Sequence, residues 1–132
     1  ISSGAPRATG EVLVRGRSIP VIRKADGVVW FDFKTLCEGN RSVSDYIELA
    51  RLYHTIILSD VPVFGTDDND AAKRFVNFVD EIYDRNVNLV VSAEREPIEL
   101  YRGSRLSSQF LRTASRLHEM RSHEYLAASH NP

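Results

Sequence analysis

The chain has 132 residues, enough for one domain with a modest core. Its 42% hydrophobic and 27% charged side chains match ordinary soluble globular proteins and exclude disorder throughout. With 17 basic against 18 acidic side chains the net charge is −1, which excludes a global field pulling in nucleic acid or anionic lipid and leaves only local patches open.

Residues 1–10 are small, polar and rich in turn formers, and read as a linker or arm. Residues 11–132 then read as a single α/β domain. The first residue is Ile1, without an initiator Met, so the sequence reads as an excised domain, a proteolytic fragment or a processed product. It begins with no signal-peptide core. No apolar run approaches the roughly 18–20 residues that a membrane span needs.

Residues 11–33 predict a three-strand meander. Glu11–Val14 leads through Arg15-Gly16-Arg17 into a strand from Ser18 to Arg23, which Pro20 pushes towards an edge. Asp26-Gly27 is a hairpin turn. Val28–Phe33 is the strongest strand, with Trp30 and Asp32 on one face and Val29, Phe31 and Phe33 on the other. Residues 34–41 read as a loop around Cys37 and Gly39. Cys37 is the single cysteine, so no disulfide forms within the chain, which fits a reducing compartment. It reads as a small buried hydrophobe.

Ser42 caps a helix from Val43 to Tyr53, with Asp45 in its first turn and Tyr46, Ile47, Ala50 and Tyr53 on its apolar stripe. His54–Val61 is a short central strand. A helix over 70–85 buries Ala71, Phe75, Phe78, Val79 and Ile82, and Val87–Ser92 is a second apolar strand. Connections this short make the three elements a right-handed parallel βαβ unit in a mixed sheet. A helical turn near Pro97–Tyr101 is broken by Gly103. A last helix runs from Ser107 or Ser108 to Ala127, with Phe110, Leu111, Ala114, Leu117 and Met120 as its stripe.

A triphosphate cradle needs GxxxxGK[ST], and none of the seven glycines begins that spacing. Asp80-Glu81 looks like an acidic nucleotide-site pair but falls within a helical pattern. Asp60 ends one parallel strand, and Ser92 and Glu94 end the other, so the three form a candidate cluster where ligands gather on open α/β sheets; they read equally as strand ends meeting water. His118 and His123 are five apart, which does not fit a helical zinc pair, and no metal site is expected. No nucleophile elbow is present. Arg112 and Arg116 project together from the last helix. They either pair with acids of neighbouring elements or contact a phosphate or an acidic partner surface.

Several ordered segments are similar to one family. These are Trp30-Phe31-Asp32-Phe33 with Leu36-Cys37, Asp45-Tyr46-Ile47, Tyr53-His54-Thr55, Leu58-Ser59-Asp60-Val61-Pro62, Arg74-Phe75, Val79-Asp80-Glu81-Ile82-Tyr83-Asp84, Leu89 to Ala93, Leu100-Tyr101, and Phe110 through Leu126. From about Arg17 to Leu126 the chain resembles the C-terminal region of ZapE-type ATPases, the AFG-like AAA+ group of bacteria and mitochondria. The resemblance implies a C-terminal domain associated with a P-loop NTPase, from a parent that binds ATP and Mg2+ through motifs upstream, with none bound by these residues. It implies an oligomeric cytoplasmic protein of bacterial cell division, peripheral at the division site, with the tubulin-like division ring as a partner; a eukaryotic relative would be mitochondrial. It makes Arg112, Thr113, Ser115 and Arg116 the candidate contact with a partner or with a neighbour's nucleotide. The role implied is that of a non-catalytic module packed on its own N-terminal ATPase half. The alternative is a free-standing binding or adaptor domain. Nucleic-acid binding is not expected, given the neutral charge and few aromatics among the arginines.

Overall fold

Two hairpins open the chain, and they belong to different sheets. In the computed structural model, which describes residues 10–120, β1 (Gly10–Val14) and β2 (Arg17–Val21) form an antiparallel two-stranded ribbon. β3 (Arg23–Ala25) pairs antiparallel with β4 (Val28–Asp32) in a four-stranded sheet. The expected meander is therefore split. The run from Ser18 to Arg23 breaks at Ile22, whose amide donates to the Trp30 carbonyl at 2.8 Å, and its two ends enter separate sheets. Gly27 turns the second hairpin at φ 72°, and a Cβ there would collide with the His54 imidazole.

β4, β5 (Thr55–Val61) and β6 (Asn88–Ala93) are parallel neighbours in the order β3-β4-β5-β6. The expected mixed α/β sheet with a parallel βαβ unit is present. Between β4 and β5 lie two helices. α1 (Phe33–Cys37) occupies the stretch expected to be a loop, because the Asp32 carboxylate accepts from the Lys34 amide at 3.1 Å and starts a helical turn that buries Phe33, Leu36 and Cys37. α2 (Val43–Leu52) follows, its Ser42 amide donating to Asp45 at 2.9 Å. Its buried positions include Tyr46 and Leu49; Ile47, expected on the stripe, is only partly buried.

α3 (Asn69–Asp84) joins β5 to β6. Right-handed crossovers place α2 and α3 side by side on one face of the sheet, where the Tyr46 ring meets Phe78 edge-on at 5.3 Å. Val29, Phe31, Ile56 and Leu58 are fully buried towards these helices. On α3 the buried set is Ala72, Phe75, Val76, Phe78, Val79 and Ile82, with Ala71 at its margin. Burial pushes the Cys37 thiol well above its ordinary pKa, with a hydrogen bond to Tyr46 offsetting only part of the rise, so Cys37 behaves as an inert packing residue.

The ribbon is tied to α2 by one carboxylate. Asp45 has no exposed side-chain surface and receives Arg17 Nη2 at 2.6 Å, with Arg15 Nε at 3.9 Å. Burial alone would raise its pKa. Hydrogen bonds from Ser42 and Arg17, with the Arg17 charge, outweigh that and hold it below the usual carboxylate range.

A 3-10 turn (Pro97–Glu99) and α4 (Ser107–Met120) complete the described residues. Phe64 exchanges backbone hydrogen bonds with Leu100 and Arg102. The Tyr101 hydroxyl donates to Asn69 at 2.8 Å and accepts from the Leu106 amide at 3.0 Å, while its ring stacks on Phe110. α4 buries Phe110, Thr113, Ala114, Leu117 and Met120. Leu111, expected on the stripe, is 61% exposed, and Thr113 takes the buried position by donating to the Gln109 carbonyl at 3.1 Å. Of the expected linker over 1–10, Gly10 instead opens β1 by pairing with Val21, and residues 1–9, like the expected extension of α4 past Met120, lie outside the described residues.

Candidate partner-contact site

The parallel strands bring the strand-end cluster together. Pairing of β5 with β6 slips between Leu58 and Val61, and Asp60 takes a left-handed φ of 66°. The Ser92 hydroxyl accepts from the Asp60 amide at 2.9 Å. The Glu94 carboxylate accepts from the Val63 amide at 2.9 Å, and its own amide donates to the Val61 carbonyl at 3.0 Å. Ser92 and Glu94 thus supply the bonds that the irregular backbone would otherwise lack. Asp60, Ser92 and Glu94 line one shallow surface depression with Pro62 and Ala93. Among the described residues no three His, Cys, Asp or Glu side chains gather as metal ligands.

The arginines of α4 meet α3. Arg116 donates to Asp80 Oδ1, and Arg112 Nη2 lies 3.9 Å from Asp80 Oδ2. The Arg116 guanidinium also sits 4.8 Å above the centre of the Tyr83 ring, whose hydroxyl donates to Glu119 at 2.8 Å. One arginine is thereby held on two sides and is 24% exposed. The other is 53% exposed and reaches Asp80 only at long range. Ser115 is exposed beside them, and Thr113 faces the interior.

Chemically, Arg116 is committed to the helix pair. Arg112 is half exposed with one distant carboxylate, and an accessible guanidinium fork engages phosphate or carboxylate bidentately. Asp80 is the partner that the sequence did not single out, since it placed Asp80 only within a helical pattern while leaving pairing of the arginines with acids of neighbouring elements open. The available signal was its place between buried Val79 and Ile82, which sets it at the margin of the packed face.

The chain's lysines are Lys24, Lys34 and Lys73, and none follows a glycine as a phosphate-cradling loop requires.

Residues 1–129 match the protein family described as AFG1-like ATPase. The chain belongs to the AFG1-like ATPase family. It is 52% identical over 98 residues to Cell division protein ZapE of Escherichia coli strain K12, covering 74% of this chain and 26% of that protein. It is 38% identical over 96 residues to Uncharacterized protein C115.02c of Schizosaccharomyces pombe, covering 73% of this chain and 21% of that one. It is 33% identical over 81 residues to Lactation elevated protein 1 homolog B of Danio rerio, covering 61% and 16%. This AFG1-like chain therefore spans about a quarter or less of the curated relatives it matches. No solved structure matches it. Among the described residues no helix is long and apolar enough to cross a membrane.

Proposed function

We propose that these residues form a non-catalytic module of an AFG1-like ATPase and that α4 presents Arg112 to a neighbouring subunit or partner. In this reading a longer parent polypeptide binds ATP and Mg2+ through phosphate-cradling motifs outside this chain. The module packs on that N-terminal ATPase half and serves oligomer assembly, partner binding or hydrolysis in a neighbour. The parent acts in the bacterial cytoplasm at the division site, with the tubulin-like division ring as partner, in keeping with the name of the Escherichia coli relative.

The observation that carries the reading is the unequal treatment of two arginines one helical turn apart. Arg116 has a carboxylate and an aromatic face, while Arg112 is half exposed with one distant carboxylate. An outward guanidinium stabilises phosphate charge in trans when a subunit brings it to a neighbour's site.

The test is Arg112→Ala and Arg112→Lys in the full-length parent. A fall in ATP turnover of about tenfold or more, with folding and oligomer size unchanged, supports the trans role. Unchanged turnover with lost binding to a division-ring filament leaves partner binding alone. Unchanged turnover and binding removes Arg112 from the account.

A further inference from the structure

One face of the parallel sheet is only partly covered among the described residues. Right-handed crossovers from β4 to β5 and from β5 to β6 put both helices on one side of the sheet, that of the fully buried Val29, Phe31, Ile56 and Leu58. The opposite face carries Trp30 of β4, Ile57 of β5 and Val90 of β6, which are direct neighbours in register. They form a continuous apolar row across three strands. Trp30 and Ile57 are only partly buried, and Val90 is 55% exposed. The Trp30 indole N–H is already satisfied by the Ser59 hydroxyl at 3.1 Å, so Trp30 offers a visitor only its apolar ring. Parallel sheets are almost always covered on both faces, because their strands are apolar on both.

We propose that this Trp30–Ile57–Val90 face is the surface on which the rest of the parent ATPase polypeptide docks. The inference rests on the proposed function above, and it names the docking surface that reading requires.

Area favours a covalently linked occupant over a second copy. Three strands about 4.8 Å apart, taken over the five positions at which β4 pairs with β5 and at about 3.3 Å per residue, expose a face of about 240 Å². A stable bimolecular interface needs about 800 Å² from each partner. A surface this small holds its cover when the two belong to one polypeptide, because linkage supplies a millimolar effective concentration. The relatives have the length to provide it, since the aligned residues make up only 26% and 21% of two of them.

The test is thiol labelling of Val90→Cys. Cys37 is fully buried and does not compete. Maleimide modification of Val90→Cys is followed by peptide mass spectrometry in the 132-residue chain and in the full-length parent, with Leu111→Cys on α4 as the comparison site. The expected result is rapid labelling at position 90 in the short chain and labelling at least about tenfold slower in the parent, independent of protein concentration. Protection at position 90 already in the short chain would overturn the proposal. If it is concentration-independent, the cover is the chain's own terminal residues; if it grows with concentration, it is a second copy. Protection in the parent at position 111 but not at position 90 overturns this face while leaving docking itself intact. Protection at neither position overturns the face and the packed-module reading together.

Discussion

Arg116 of α4 grips Asp80 of α3 while lying 4.8 Å over the Tyr83 ring, so one guanidinium fastens the last helix to the βαβ unit. Removing it separates two favourable contacts at once. Arg116→Ala is expected to cost about 1–2 kcal/mol in urea unfolding, from the ion pair and the ring contact together. Arg112→Ala is expected to cost under about 0.5 kcal/mol, the ordinary worth of an exposed pair. Equal losses at the two positions would remove the division of labour on which the functional reading depends.

Asp45 makes stability depend on pH. Its carboxyl is held below its ordinary value, so it contributes stability that is fully present above the unfolded-state pKa near 3.9 and is lost as pH falls through the lower folded value. Denaturant titrations across pH 2.5–6 are expected to show a falling acid limb that is flattened in Asp45→Asn. At pH 7 that substitution is expected to cost about 2 kcal/mol, because Arg17 and the Ser42 amide lose a charged acceptor.

Asp60 pays a backbone cost that glycine would not. At φ 66° a side chain is strained by about 1 kcal/mol, so Asp60→Gly is expected to hold or slightly raise thermal stability. Ser92→Ala is expected to lower it by about 1 kcal/mol by leaving the Asp60 amide without its acceptor. If Asp60→Gly abolished activity of the parent while stabilising the fold, the carboxylate would have a contact role beyond the bulge.

Tyr101→Phe is expected to cost about 1–2 kcal/mol, since its hydroxyl serves both Asn69 and the Leu106 amide at the entrance to α4. Hydrogen exchange of α4 amides is the measurement, and the increase is expected in the first turns of that helix.

The sequence made β4, β5, α3 and β6 legible because apolar residues there follow one period for long enough to name the element and its buried side. The Asp26-Gly27 turn was legible for a local reason, the positive φ at Gly27. The break at Ile22 was not, since a strand that leaves one sheet for another keeps its β-prone composition. α1 hid because five residues carry too little periodicity, and the Asp32 cap that starts it also reads as a strand end. On α4 the misplacement of Leu111 and Thr113 has one cause: a threonine that bonds its own helix can sit inside, leaving leucine outside. The proximity of Asp60, Ser92 and Glu94 followed from parallel register. The pairing of Asp80 with the arginines did not, because it needs the angle between α3 and α4, which spacing along either helix does not contain.

The sequence holds no GxxxxGK[ST] phosphate cradle although the chain belongs to the AFG1-like ATPase family. Phosphate release by the purified 132-residue chain with ATP and Mg2+ tests the consequence. Release no faster than in buffer is expected at every protein concentration. Turnover that rises in proportion to the concentration of the folded chain would contradict it.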